Sequence, residues 1–275
     1  MIRENLEPGR IRLVVSDVDG TLVDQQKRVT PRARAAIAAL NDDGVQLVLA
    51  SSRPPRGLEA LHRELELTSP MVAFNGGLVV TPDGRPLAEL SLPMATGAQS
   101  VTLLRRSGAG VWAFTGRDWF VEDPSGPRVT REATVLGFGP TVVDDVLLVA
   151  GATKLVGVSY DDAVLRACER ALAADLGHRI SVARGHACYV DVTHPSATKG
   201  NAVRLLSETL GIPPEAILSI GDMETDATMF CQSGIAIAMA NAPPKVQASA
   251  HFVTASNDDD GFARAIERWV LGRSG

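Results

Sequence analysis

The sequence predicts an α/β fold: a doubly wound parallel sheet as core, with a smaller α+β module inserted into it. Three observations predict it. Short aliphatic runs alternate with amphipathic helical stretches near both ends of the chain. Each run stops at a cluster of polar residues, and between about residues 82 and 189 the alternation gives way to short strands mixed with two helices.

The first run, residues 11–15 broken only by Arg12, reads as a buried strand that stops at Ser16-Asp17-Val18-Asp19-Gly20-Thr21-Leu22. Residues two apart in a strand share a side, so Asp17 and Asp19 can converge if strand geometry persists, and Gly20 then lets the backbone turn away. Two acids this close repel and lose hydration, which a cation or a shared proton would offset. Thr30-Pro31 is a cap followed by proline at the first helical position, and the helix it opens runs to Leu40 before Asp43-Gly44 ends it. A second buried strand at residues 45–50 ends in Ser51-Ser52-Arg53 and is followed by a helix through Leu58, Leu61 and Leu65. Strand, helix and strand with tight connections form a right-handed parallel unit. A third strand at residues 71–74 ends at Asn75-Gly76-Gly77.

The inserted stretch predicts strands at residues 87–92, 111–114, 119–121, 155–158 and 180–183, and helices at 98–107 and 162–176. Residues 134–150 fit no pattern. The parallel pattern resumes with Lys199-Gly200, which opens a helix closed by Gly211. A strand at residues 217–220 ends in Gly221-Asp222-Met223-Glu224-Thr225-Asp226; another at 235–239 leads to Asn241, and a helix closes the chain. The expected domains are a core of residues 1–81 and 190–275 and an inserted cap of residues 82–189.

Composition bounds the function. At 275 residues the chain holds one large domain or two modest ones, and its net charge of −5 without a run of Lys or Arg argues against a nucleic-acid or anionic-membrane surface. Cys168, Cys188 and Cys231 are far apart and lack CxxC spacing, which argues against zinc and a disulfide framework and fits a reducing cytoplasm. The N-terminus has no apolar core of a secretory signal, and no stretch approaches the roughly 18 apolar residues needed to span a bilayer.

In open α/β sheets, ligands bind outside the carboxyl ends of the strands. Asp17, Asp19, Ser51 to Arg53, Asn75, Asp222 and Asp226 all fall at such ends, so they should face one crevice. Several carboxylates with no His or Cys in these motifs suit a hard cation, most simply Mg²⁺. Lys199 and Arg53 would add positive charge where a phosphate must be held, and Ser51 with the following amides could donate to its oxygens.

These motifs, in this order, resemble the haloacid-dehalogenase-like phosphohydrolases, in the subgroup with a type IIB cap (Cof-like phosphatases). The match is Asp17-Val18-Asp19-Gly20-Thr21-Leu22, Ser51, Lys199 and Gly221-Asp222-x-x-Thr225-Asp226. Further signatures are Asn75-Gly76-Gly77, Ala238-Met239-Ala240-Asn241-Ala242 and Thr254-Ala255-Ser256-Asn257-Asp258. The chain departs from that pattern at Ser52, where glycine is usual, and at Thr225, where asparagine is usual. The resemblance implies a Rossmann-like core and a Mg²⁺-dependent phosphatase acting on a small phosphorylated metabolite, first of all a sugar phosphate. It implies Asp17 as nucleophile and metal ligand, Asp19 as acid and base and, through its backbone carbonyl, a ligand, Asp222 and Asp226 as further ligands, and Lys199 as a catalytic cation. Ser51, Ser52, Arg53, Asn75, Gly76 and Asn241 are expected on the phosphate side.

From the cap, Arg184, His186 and Cys188 share one face of a presumed strand by alternation, so Arg184 and His186 are expected to touch substrate. Trp112 and Trp119 are expected to pack within the cap rather than stack on a sugar. A phosphomutase, favoured if arginines such as Arg117, Arg128, Arg131 and Arg184 grip a second phosphate, and a non-catalytic binding protein are the alternatives. The expected partner is a small molecule, with no nucleic acid and no membrane, for a monomer or homodimer.

Overall fold

The computed structural model describes residues 11–149 and 151–273. In chain order the first elements are β1 (Leu13–Ser16), α1 (Pro31–Asp42), β2 (Gln46–Ala50), α2 (Pro55–Glu64) and β3 (Met71–Ala73). Then follow β4 (Leu78–Val80), β5 (Pro86–Glu89), α3 (Met94–Arg106), β6 (Gly110–Thr115), β7 (Asp118–Val121), α4 (Val129–Leu136) and β8 (Thr141–Val142). Next are β9 (Lys154–Val158), α5 (Asp162–Asp175), β10 (Ser181–His186), β11 (Tyr189–Thr193), α6 (Lys199–Leu210) and β12 (Ile217–Gly221). The chain closes with α7 (Glu224–Phe230), β13 (Ile235–Ala238), α8 (Pro244–Gln247), β14 (Phe252–Val253) and α9 (Gly261–Trp269). The described residues fall into two compact units, one drawn from residues 11–51, His62–Val72 and residues 198–273, the other from Ser52–Leu61 and residues 73–149 and 151–197.

The first unit is built on a parallel sheet in the order β14-β13-β12-β1-β2-β3. Leu13, Val14 and Val15 are all fully buried, the continuous apolar run of a strand covered on both faces. Register aligns the strand ends: Ser16 pairs with Ile220 on one side and Leu49 on the other, and Gly221 pairs with Ala238. Helix α1 begins where Thr30 accepts from the Ala33 amide ahead of Pro31, and it buries Ala33, Ala36, Ile37 and Leu40. Its outer face is tied to α9 by Arg32, whose guanidinium donates to both Glu267 oxygens at 2.9 and 2.5 Å. Helix α6 is capped by Thr198 and stopped by Gly211 at φ 62°.

The second unit holds the antiparallel hairpin β4–β5 and a six-stranded sheet in the order β10-β11-β9-β6-β7-β8. Alternation divides the faces of that sheet. Val111, Ala113, Leu155, Val190 and Val192 pack with Leu104 of α3 and with Leu165, Cys168 and Leu172 of α5. Trp112, Phe114, Lys154, Tyr189 and Asp191 therefore point to the opposite face. There Trp119 lies edge-on to Trp112 at 5.0 Å and stacked on Phe114 at 5.8 Å, so both tryptophans are packing residues.

Several expectations shift. The strand expected at residues 87–92 is the short, largely exposed β5, and α3 starts at Met94, where no side-chain cap marks it in the sequence. Residues 134–149 contain the end of α4, the two-residue β8 and a single turn capped by Asp145, elements too short for any periodicity, and residue 150 lies outside the described residues. The return expected at residue 190 comes later, because Tyr189–Thr193 is paired on both edges with β9 and β10. The first unit resumes at Thr198.

Candidate active site

The first unit brings Asp17, Ser51, Asp222 and Asn241 to the C-terminal ends of β1, β2, β12 and β13, which lie side by side and parallel in the order β13-β12-β1-β2. The Asp17 amide continues the ladder by donating to the Ile220 carbonyl at 3.0 Å, and the Ser51 amide donates to Val72 at 2.9 Å. Their side chains consequently emerge just where the sheet ends. Gly20, at φ 91°, turns the chain away, and a Cβ there would sit 2.5 Å from Asp222 Oδ2.

Lys199, the first residue of α6, is buried with its ammonium between two carboxylates: Nζ lies 2.5 Å from Asp17 Oδ1 and 2.6 Å from Asp226 Oδ1. An ammonium at the positive end of a helix is unfavourable on its own, so these two acids are what keep it charged. Burial works against its charge, but attraction by Asp17 and Asp226 outweighs burial and raises its pKa. The acids feel the reverse. Burial holds the Asp17 carboxyl well above the ordinary carboxylate range against the pull of Lys199, and repulsion from Asp226 and Asp222 adds to it. Burial and then Asp226 push Asp222 to about 6.

Asp17, Asp222 and Asp226 each offer an oxygen within 4.8 Å of the others, all three residues being buried. Asp17 Oδ2 is buried without a hydrogen-bond partner. Asp226 is the most committed of the three: besides Lys199, its Oδ2 accepts from the amides of Asp222 and Met223, both at 2.9 Å. It thus caps the start of α7, as well as lying in the acidic cluster. Thr21 donates to Asp222 Oδ1 at 3.1 Å. Asn241 donates to the Gly20 carbonyl at 2.9 Å and to Asp222 Oδ2 at 3.3 Å, while its own oxygen accepts from the Asn257 amide. Its observed contacts hold the Gly20 turn and orient Asp222. The Asp19 carboxylate is not one of these three; its Oδ1 accepts from Lys27 at 2.7 Å, and its charge adds to the repulsion felt by Asp222.

Sequence reasoning assigned no role to Thr21 or Lys27. Thr21 lay inside a quoted motif, but an exposed Lys27 carries no sequence signal of its partner eight residues away. Thr225, where the family pattern has asparagine, uses its carbonyl to accept from Thr228, whose hydroxyl in turn accepts from the Gly200 amide at 2.9 Å.

The remaining expected residues lie in the second unit. The Ser52 carbonyl accepts from Lys154 Nζ at 3.3 Å, and the Arg53 carbonyl accepts from the Phe74 amide at 3.1 Å. Phe74, Asn75 and Gly76 form a left-handed turn, with φ of 51°, 55° and 100°. Two non-glycine residues there are strained, and burial of Phe74 against Phe114 holds them. A register shift between Ala183 and His186 breaks the alternation on which the expectation for Arg184 rests. Its guanidinium turns toward α5, 2.6 Å from Asp162 Oδ1 and 3.2 Å from Glu169 Oε2. Cys188 lies in the turn before β11. The backbone of His186 ends β10, and its side chain lies outside the described residues.

Comparison with known proteins agrees with this architecture. A family profile described as haloacid dehalogenase-like hydrolase matches residues 14–266. A Haemophilus influenzae protein provisionally named a phosphatase is 30% identical over 257 residues, covering 93% of this chain and 97% of its own. The 5-amino-6-(5-phospho-D-ribitylamino)uracil phosphatase YcsE of Bacillus subtilis is 26% identical, covering 95% of this chain and 96% of its own. The crystal structure of a haloacid dehalogenase-like hydrolase from Bacteroides thetaiotaomicron superposes with a TM-score of 0.85 at 28% identity, covering 94% of this chain and 99% of that one. The chain belongs to the haloacid dehalogenase-like hydrolases, in their Cof-like branch, and is a phosphatase of that family.

Proposed function

We propose that the protein is a Mg²⁺-dependent phosphatase that hydrolyses a small phosphorylated metabolite, a sugar or polyol phosphate, by way of an aspartyl phosphate on Asp17. The observation that supports it most is the buried Asp17–Lys199–Asp226 chain beside Asp222, with one Asp17 oxygen left unpartnered. Hard oxygen donors without nitrogen or sulfur fit Mg²⁺, and an unpartnered buried carboxylate oxygen fits a ligand to it. Asp17 and Asp222, with the Asp19 backbone carbonyl, would hold the ion, and Asp226 would support them. When bound, Mg²⁺ would neutralise charge on the transferring phosphoryl group.

Asp17 then attacks phosphorus as Asp19 gives its proton to the departing alkoxide oxygen. Asp19, now a base, takes a proton from the water that attacks the aspartyl phosphate, which returns Asp17 and releases inorganic phosphate. Lys199 offsets the charge of Asp17 and Asp226 throughout. Ser51, with the amides that follow it, is assigned to the phosphoryl oxygens. The second unit is assigned to choosing the leaving group, and the ribityl phosphate in the name of the B. subtilis relative supports a polyhydroxy one. Cys168 and Cys231, both outside any disulfide, support a reducing, cytoplasmic setting. Of the four arginines on which a mutase would draw, Arg117, Arg128, Arg131 and Arg184, three are bonded within the second unit, to Glu59, Tyr189 and the α5 acids, which favours the phosphatase over the mutase.

The test is phosphate release from a panel of sugar, polyol and nucleotide phosphates and an aryl phosphate, in Mg²⁺ and in chelator. Wild type should release phosphate only with metal, and Asp17→Asn should lose at least about 1,000-fold in kcat, the order seen when a nucleophile is removed. Release that persists in Asp17→Asn would exclude the covalent route.

A further inference from the structure

The second unit contains a buried ion pair that the proposed chemistry leaves unused. Lys154 opens β9 and Asp191 sits in β11; Nζ lies 2.6 Å from Asp191 Oδ2, with the side chains 10% and 4% exposed. Both project from the sheet face opposite α3 and α5. Taking such a pair out of water costs more than its mutual attraction returns unless every remaining donor and acceptor is bonded, and well-packed apolar residues in its place are often no less stable. Here the bonding is incomplete: Asp191 Oδ1 is buried without a partner. Stability therefore gives a poor account of the pair.

The ammonium has a second neighbour. It lies 3.3 Å from the carbonyl oxygen of Ser52, the residue that follows Ser51. A trans peptide is planar, so the Ser52 carbonyl and the Arg53 N–H belong to one rigid plane and point in opposite directions. Whatever fixes that carbonyl also fixes where the Arg53 N–H points. The next carbonyl, that of Arg53, is held in turn by the Phe74 amide at the start of the strained 74–76 turn. Two successive peptide carbonyls after Ser51 are thus tethered from within the second unit.

We propose that Lys154, held by Asp191, is a positioning residue for the proposed phosphate-binding segment: by anchoring the Ser52 carbonyl it aims the Arg53 N–H. This rests on the phosphatase reading above, in which that segment meets the phosphoryl oxygens. Lys154 touches no reacting atom; it acts through the backbone. Because every substrate presents the same phosphoryl group, its loss should be felt alike by all of them.

The experiment compares wild type, Lys154→Met/Asp191→Leu and Asp191→Asn over the substrate panel, with inorganic phosphate as competitive inhibitor and thermal unfolding measured alongside. Leu165→Ala, in the apolar core of the same unit, controls for lost stability. The apolar double variant should unfold at or above the wild-type temperature while kcat/KM falls about 100-fold, the size of effect an ångström of misplacement produces. The fall should be by one common factor across substrates, with phosphate inhibition weakened in step. Should the double variant not fold, Asp191→Asn, which preserves shape and leaves Lys154 unpaired, should show the same uniform fall in smaller degree. Unchanged kcat/KM, a fall that differs between substrates, or a fall that Leu165→Ala reproduces overturns the assignment. An inactive wild type would overturn the phosphatase reading itself and the inference with it, a result told apart by the wild-type arm alone.

Discussion

At the scale of single residues, the site is held by an imbalance of charge. One ammonium serves two carboxylates directly and a third lies within reach, all buried. Removing the cation leaves like charges facing one another without solvent. Lys199→Met should therefore cost about 3–5 kcal/mol, as breaking a buried pair does. Urea unfolding in chelator reads this directly, and a loss below about 1 kcal/mol would mean that protonation of Asp17 already relieves the repulsion. Much of this was legible in the sequence: Asp17, Lys199 and Asp222 were marked by their places at strand ends and at a helix start. What was not legible were partners without local pattern. Lys27 beside Asp19, and Lys154 beside Asp191, meet across folds of the chain that no spacing rule reaches. The expectation for Arg184 rests on an alternation that a register shift in β10 interrupts, and no local pattern announces such a shift.

At the scale of elements, placement of Lys199 depends on how closely α6 approaches α7. The contact is made at Gly200, where a Cβ would lie 2.4 Å from the Thr228 carbonyl oxygen, a backbone atom that cannot swing aside. Gly200→Ala should accordingly push the helix starts apart, lower stability by about 1–3 kcal/mol as overpacking does, and displace the ammonium. Measured together, unfolding and kcat should both fall, and a variant of wild-type stability and rate would show that the helices can slide at no cost. Helices α1 and α6 were readable because Thr30-Pro31 and the Gly211 stop are strong end signals. Helix α3 lacks a side-chain cap, and β8 is two residues long, so neither leaves a mark that periodicity can find.

At the scale of the whole molecule, the acidic cluster couples folding to pH. A carboxyl whose folded pKa is raised favours its neutral form in the fold, so its contribution to stability is full below its unfolded pKa and is lost as pH rises through the folded one. Asp222 has its folded pKa near 6, against about 3.9 for an unperturbed aspartate, and Asp17 is shifted in the same direction. In chelator, the unfolding free energy should thus decline between about pH 4 and pH 6.5, by up to about 3 kcal/mol from Asp222 alone. Saturating Mg²⁺ should flatten the decline by neutralising the cluster, and Asp222→Asn should make it shallower without metal, leaving the part that Asp17 contributes. A metal-free profile that rises over this range would contradict the charge arrangement described above.

The position of β1 has a consequence for the chain as it is made. Its two neighbours in the sheet are β2, which follows within some thirty residues, and β12, which begins at Ile217. At 5–20 residues per second, a ribosome delivers β12 about 10–40 s after β1. Through that interval a fully buried strand of the sheet has one edge unpaired, and an apolar edge of this kind is a template for wrong partners. Asp17, at the end of that strand, cannot meet Lys199, Asp222 or Asp226 until synthesis is almost over. A nascent chain interrupted inside the second unit would have its aliphatic strand and its first acid motif in hand, and no means of closing either.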